Sequence, residues 1–397
     1  MRMRAIAVVL LLLIGITNYL DRSTLGIANT GVAGELGASA STMGLLLSVF
    51  SWAYAFAQLP AGAMLDRYGP RRVLGIGLLL WSLAQAAGGL AANVKQLLVS
   101  RAVLGVGEAP TFPANAKVIA SLYPAERRGT PIGLLNAASS IGPAIGPPLL
   151  TWLMLGFGWR TMFITVGALG VLLAIVWLAC YRDQGRDRKT RAVTLREWAR
   201  LLRFRTTWGM ILGFTGVVYS VYLYLTWLPA YLERRGLSIA DTGFALVLPY
   251  LAGTAGTLVS GWVGDRLVRR GMANMTARKI PLILGLVLGG AATVPAALTP
   301  STGLALGCIC LAQFFVNAAS SGGWALASVA TSERMTASLG SLQNFGGYFG
   351  GAFAPLATGI LVETTGSFTI ALLAASAVAI LAAFSYAFLV RRPVPAD

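Results

Sequence analysis

Twelve times the chain returns to an apolar stretch of about twenty residues or more: 5–31, 40–65, 72–92, 96–121, 130–154, 160–181, 207–232, 239–264, 278–298, 302–326, 336–362 and 367–390. About twenty apolar residues in a helix cross the ~30 Å hydrocarbon core of a bilayer. The backbone finds no water there, so a spanning segment must satisfy its own hydrogen bonds as a helix. The recurrence predicts an all-α membrane protein with twelve transmembrane helices. Composition agrees, with 56% hydrophobic and 11% charged residues, the latter under half the ~25% of soluble domains. The 47 glycines suit close helix contact in lipid. Arg2 and Arg4 precede the first stretch as they would in a secretory leader. That stretch continues through Asn18-Tyr19-Leu20-Asp21-Arg22 without a small-residue cleavage site and is read as retained. Cys180, Cys308 and Cys310 lie within or beside apolar segments, a pattern of neither disulfide nor metal framework.

A net charge of +17 would point to nucleic acid in a soluble chain. Its distribution points to a membrane. With the N-terminus in the cytoplasm and sides alternating, 24 of the 31 Lys and Arg fall on cytoplasmic stretches. Lys95, Arg160, Arg234 and Arg235 fall outside, and Arg22, Arg101 and Lys117 lie within segments. This asymmetry orients the chain with both termini cytoplasmic. Nine of the basic residues crowd into 182–205, read as a solvated linker beside anionic headgroups rather than a nucleic-acid site.

The linker separates six segments from six, giving domains 1–181 and 206–397 about the linker 182–205. The halves resemble each other. The run Gly62 to Arg72 after segment 2, with Asp66, Arg67, Gly69, Arg71 and Arg72, resembles the run Gly261 to Gly271 after segment 8, with Asp265, Arg266, Arg269 and Arg270, the aspartates standing 199 residues apart. At an offset of 208, Asn136, Gly142, Pro147 and Gly158 match Asn344, Gly350, Pro355 and Gly366. Two six-helix pseudo-repeats in parallel describe a secondary transporter. The Asp66/Arg67 and Asp265/Arg266 loops are read as cytoplasmic latches, with a solvated turn as the alternative.

The chain has no histidine, so a transported proton must ride on a carboxylate. Of the fourteen acidic residues, all but Asp21 and Glu108 fall at segment ends or on loops. A carboxylate at membrane depth is costly and marks a functional site by default. Burial favours the neutral carboxyl and a nearby cation the charged one, so a moving cation can switch the proton. Asp21 adjoins Arg22, and Arg101 precedes Glu108 by two turns, which makes Arg101 the expected partner of Glu108. Asp21, Glu108 and Arg101 are therefore the proton-coupling candidates; static struts are the alternative. Gly107, Pro110 and Pro113 are expected to loosen segment 4 around Glu108.

The G-x3-D-R-x-G-x-R-R loop resembles the cytoplasmic signature of the major facilitator superfamily. Asn18 to Arg22, the run Arg101-Ala-Val-Leu-Gly105-Val-Gly107-Glu108-Ala-Pro110, Pro124 to Gly129 and Thr226-Trp227-Leu228-Pro229 resemble its anion:cation symporter family. The resemblance implies a proton-coupled symporter, not an enzyme. It would import an organic anion, a hexonate, hexuronate or aldarate, by alternating access. It also implies that Arg22 holds the substrate carboxylate, for which a guanidinium fork is well shaped. On the same pattern Tyr19, Tyr54, Ser139, Asn317, Ser320, Ser321, Gln343 and Asn344 would contact substrate. Interhelical hydrogen bonding is the plain alternative for the small polar groups. Tyr219, Tyr222, Tyr224 and Trp227 would either stack on substrate or pack. No cofactor or metal is expected, since the proton gradient supplies the energy. The expected partners are the substrate, protons and the bilayer, with the carrier a monomer in the bacterial inner membrane. The rival readings are import of an aromatic or dicarboxylic acid, exchange of organic anion for phosphate, and proton-driven drug export.

Overall fold

A computed structural model of the chain describes residues 2–123, 129–183, 200–327, 329–331 and 335–394. Segment 1 comprises α1 (Arg2–Ile27) and α2 (Asn29–Leu36); α3 (Ala40–Tyr68) and α4 (Pro70–Gly89) are segments 2 and 3. Segment 4 is broken into α5 (Val94–Glu108) and α6 (Thr111–Leu122). Segments 5 and 6 share α7 (Gly129–Cys180), which folds at Gly158 (φ 80, ψ 163). Segment 7 is α8 (Arg205–Arg234), and segment 8 comprises α9 (Ile239–Ala245) and α10 (Val247–Arg269). The last four are α11 (Asn274–Leu298), α12 (Thr302–Ala327), the pair α13 (Thr336–Gly351) and α14 (Phe353–Thr365), and α15 (Thr369–Phe388). Ten helical stretches among the described residues are long and apolar enough to span a membrane. The fold at Gly158 and the broken segment 4 account for the difference from twelve. The protein is an all-helical, twelve-span membrane protein.

The chain divides into two compact units, residues 1–190 with 232–247, and residues 191–231 with 248–397. In the first, a core gathers Leu11, Ile14, Leu74, Leu78, Trp81 and Trp177, all fully buried. In the second, α11 packs on α12 and α15. Large apolar side chains such as Phe56, Ile76, Leu83, Leu258 and Leu381 point outward, where lipid would cover them.

The internal repeat is written into the backbone. Gly37 (φ 62) and Gly236 (φ 92) stand 199 residues apart, each closing a span in a left-handed conformation that favours glycine. Two residues on, Ser39 and Ser238 accept hydrogen bonds from the amides of Thr42 and Asp241 and so cap the next helix. Gly158 (φ 80) and Gly366 (φ 70) repeat the pattern at the offset of 208. Gly142 and Gly350 also serve alike. A Cβ at Gly142 would sit 2.5 Å from the Cβ of Tyr19 on α1, and one at Gly350 would strike Thr215 on α8.

At the end of the first unit opposite the chain terminus, Arg160 ties three spans together. Its Nη1 donates to the carbonyls of Gly89 (3.0 Å) and Ala91 (2.7 Å), and its Nε donates to Glu35 Oε1 (2.9 Å). Trp159 Nε1 also donates to Glu35 Oε2 at 2.6 Å. The indole bond, and then the guanidinium, hold the Glu35 carboxyl below its usual range. This clasp fixes the ends of segments 1, 3 and 6 and leaves the middle of the unit for the deep ionic groups.

Candidate functional site

The site is assembled by glycines on α5. A Cβ at Gly105 would collide with the Phe50 carbonyl oxygen and lie 3.0 Å from the Tyr54 amide, so Gly105 admits α3. A Cβ at Gly107 would lie 2.8 Å from the Cβ and amide of Trp81, so Gly107 admits α4. Three backbones thus converge at the turn carrying Glu108. There the helix stops, because Pro110 has no N–H to give and the ring of Pro113 crowds the carbonyl of Ala109. Gly105→Ala is expected to destabilise the protein by about 1–3 kcal/mol through overpacking. Gly34, with nothing within 4 Å of its would-be Cβ, should accept alanine without loss. Thermal unfolding in detergent measures both, and equal melting of the two variants would deny the α3–α5 contact.

Arg22 Nε lies 3.0 Å from Glu108 Oε2, with the two side chains 4% and 0% exposed. The rings of Tyr54 (4.8 Å), Phe50 (5.1 Å) and Tyr19 (5.7 Å) surround the guanidinium, adding cation–π attraction in a dry setting. The expectation that Glu108 pairs with Arg101 is corrected here: the guanidinium bonded to Glu108 is that of Arg22. Arg101 instead donates from Nη1 to the backbone carbonyl of Asp21 at 3.3 Å, and its guanidinium stacks on Phe50 at 5.2 Å. The physical reason is helical. Adjacent residues project about 100° apart, so Asp21 and Arg22 serve different neighbours.

Asp21 is fully buried, and Trp81 Nε1 of α4 donates to its Oδ2 at 3.1 Å. One turn on, Gln85 Nε2 donates to Thr24 Oγ1 (3.0 Å), which itself donates to the Asp21 carbonyl (2.7 Å). Sequence reasoning missed Trp81 and Gln85. Their signal was an i, i+4 pair of hydrogen-bonding side chains in an otherwise apolar span, which marks the buried face. Asp21 Oδ1 and Glu108 Oε1 are buried with no hydrogen bond among the described residues. For a permanently charged group that is expensive, and a proton relieves it.

The remaining candidates are scattered among plainer roles. Tyr54 is buried and Tyr19 half-buried, both against Arg22. The side chains of Ser139 and Asp66 lie outside the described residues, as do Pro124, Glu126 and most of the linker. In the second unit Asn317, Ser320, Ser321 and Asn344 are half-buried, and Asn317 Nδ2 donates to the Gln313 carbonyl at 2.9 Å within its own helix. Gln343 is fully buried, and its amide donates to the Gly323 carbonyl (3.3 Å), joining α13 to α12. The aromatic residues of α8 pack rather than present free faces. Tyr224 shares a hydrogen bond with Thr293 (2.7 Å), and Trp227 donates to the Pro355 carbonyl (3.0 Å). Asp265 pairs with Arg278 of its own unit at 2.6 Å. Arg67 and Arg266 lie over Tyr68 (5.2 Å) and Trp262 (5.5 Å). Lys117 donates to the carbonyl of Leu65 (2.8 Å), capping the end of α3.

A twelve-span protein with a repeated six-helix plan and a buried Arg–carboxylate pair has the architecture of a membrane transporter. The chain belongs to the Major Facilitator Superfamily, whose family model matches residues 11–277. It is 44% identical to a probable L-galactonate transporter of Escherichia coli K12, over 99% of this chain and 90% of that protein. It is 34% identical to a probable galactarate/D-glucarate transporter of Bacillus subtilis 168, over 96% and 91%. With a D-galactonate transporter of E. coli O6:H1 the identity is 32%, over 98% and 96%. Among solved structures, a bacterial homolog of the human lysosomal transporter Spinster matches with a TM-score of 0.83 at 20% identity, covering 98% of this chain and 97% of that one. A D-xylose-proton symporter matches at 0.79 and 16%, covering 98% of each. These likenesses agree on the fold.

Proposed function

We propose that the chain is a proton-coupled symporter importing a hexonate of the galactonate type across the bacterial inner membrane. Both termini are cytoplasmic in this reading, and the carrier works as a monomer by alternating access. The observation that carries it is the end-to-end likeness to carriers named for galactonate. The buried Arg22–Glu108 pair gives that likeness a mechanism. A substrate carboxylate and Glu108 compete for one guanidinium. Breaking a buried pair by removing one charge is costly, so Arg22 is released only when another anion takes it. Protonation of Glu108 neutralises the internal competitor, and the substrate carboxylate occupies Arg22. Loss of the proton on the other side restores the internal pair and expels the substrate. Asp21 takes and releases a second proton beside this pair, and Arg101 supports the exchange from behind. Tyr19 and Tyr54 would line the substrate's approach to Arg22, with Ser139 reading a hydroxyl. The loop pairs Asp66/Arg67 and Asp265/Arg266 would close the cytoplasmic side.

A monocarboxylate is favoured over the dicarboxylic aldarates by the charge plan. Segments 7 to 12 hold no Lys or Arg at membrane depth; Arg278 and Lys279 stand at the very start of segment 9. In proteoliposomes, labelled galactonate should accumulate under an inside-alkaline gradient and be displaced by excess galactonate more effectively than by galactarate. Accumulation driven instead by an outward phosphate gradient would replace symport by exchange.

A further inference from the structure

We infer that Trp81 is a positioning residue of the transport cycle: its indole N–H holds the Asp21 carboxylate against segment 3 and sets the pH at which that carboxylate takes its proton. The inference rests on the reading of Asp21 as a proton carrier. It is carried by geometry found nowhere in the sequence motifs. Trp81 is fully buried, and its N–H points at Asp21 Oδ2 across 3.1 Å. Its backbone is pressed against α5 at Gly107, where a Cβ would come within 2.8 Å of it. Gly77, one turn earlier, meets α5 as well, since a Cβ there would lie 2.7 Å from the Gly107 carbonyl oxygen. The indole therefore has little freedom to turn away. The glycine beside Glu108 seats the donor to Asp21, so one turn of α5 fixes both deep carboxylates.

The ionisable groups facing Asp21 are few. Its own helix brings Arg22, and α5 brings Arg101 and Glu108. From α4 come only Trp81 and Gln85, because Arg71 and Arg72 lie at its far start. Segment 5, which packs on α1 through Gly142 and Gly146, holds no Asp, Glu, Lys or Arg. Segment 2 offers the Tyr54 phenol, and α6 offers Lys117, which is spent on the Leu65 carbonyl. Arg101 and Arg22 bring positive charge near Asp21, and the indole adds the one neutral donor bonded to Oδ2 among the described residues. Held by a donor that does not titrate, Asp21 keeps its place whichever anion occupies Arg22.

The test deletes one N–H. Replacing Trp81 with benzothienylalanine, in which sulfur takes the place of the N–H, preserves shape and packing; Trp81→Phe is the simpler companion. Infrared titration of the purified carrier follows the protonated-carboxyl stretch, assigned to Asp21 by its loss in Asp21→Asn. Losing a hydrogen bond to a charged acceptor should move the midpoint of that band to higher pH by about one unit. The pH profile of uptake should move the same way. An unmoved midpoint in the benzothienylalanine protein overturns the inference. So does an equal shift, on the same Trp81 replacement, of the carboxyl band that remains in the Asp21→Asn background, which would mean that Trp81 acts on Glu108. Whether transport is proton-driven is read separately, from uptake by the unmodified carrier. A carrier indifferent to the gradient would end the coupling reading, while the infrared band still decides what Trp81 does to Asp21.

Discussion

Glu108→Gln abolishes accumulation of substrate under a proton gradient and leaves counterflow exchange of labelled for unlabelled substrate. That is the outcome expected from the ion pair at 3.0 Å between Arg22 Nε and Glu108 Oε2. The amide has nearly the shape of the carboxyl and can still accept from Arg22, so the protein should fold. It cannot carry a charge, so it no longer contests the guanidinium as an anion. Counterflow passes only through loaded states, in which Glu108 is neutral in any case. Net transport requires the empty carrier to return, and with Gln the proton that accompanies each cycle is lost. Accumulation should fall to the level of protein-free vesicles, and substrate binding should lose the part of its pH dependence that comes from Glu108. Full accumulation by this variant would hand coupling to Asp21, the other deep carboxylate. Loss of both accumulation and counterflow in a well-folded variant would make Glu108 a strut.

Arg22→Lys should weaken substrate binding by roughly a hundredfold, with normal insertion and folding. A guanidinium offers parallel donors, so Nε can hold one carboxylate while the other nitrogens begin to take a second; an ammonium is a point charge on a flexible stem. Charge-assisted hydrogen bonds contribute about 1.5–3 kcal/mol each, and losing one well-made bond accounts for the expected loss. The three rings around Arg22 add to the effect, because a planar guanidinium stacks on Tyr54 and Phe50 while an ammonium makes poorer contact. Calorimetric binding of galactonate to the purified variant measures the result. Affinity within a few-fold of the unmodified carrier would remove Arg22 from the substrate site.

Both predictions depend on which partner each charge holds, and that separates what the sequence determined from what it left open. Twelve apolar stretches, the distribution of Lys and Arg and the two internal offsets settle the class of architecture by themselves, because each rests on a one-dimensional quantity: a length, a charge count, a spacing. The matched glycines illustrate this. Gly158 and Gly366 were paired by spacing alone, and both adopt a left-handed backbone between spans. The depth of Asp21, Arg22, Arg101 and Glu108 was also legible, since position along an apolar helix is position across the bilayer. Their pairing was not. Neighbours in sequence suggested Asp21 with Arg22 and Arg101 with Glu108, whereas Glu108 takes Arg22 from another span and Asp21 takes Trp81. Rotation about a helix axis decides which neighbour a side chain meets, and that rotation is fixed by packing, here by Gly105 and Gly107 admitting α3 and α4 to α5. The same holds for Gln343 and Trp227, side chains whose partners the sequence left open and whose N–H groups reach backbone carbonyls of neighbouring helices. A polar atom in a membrane helix must find some partner, and only the tertiary structure shows which one lies within reach.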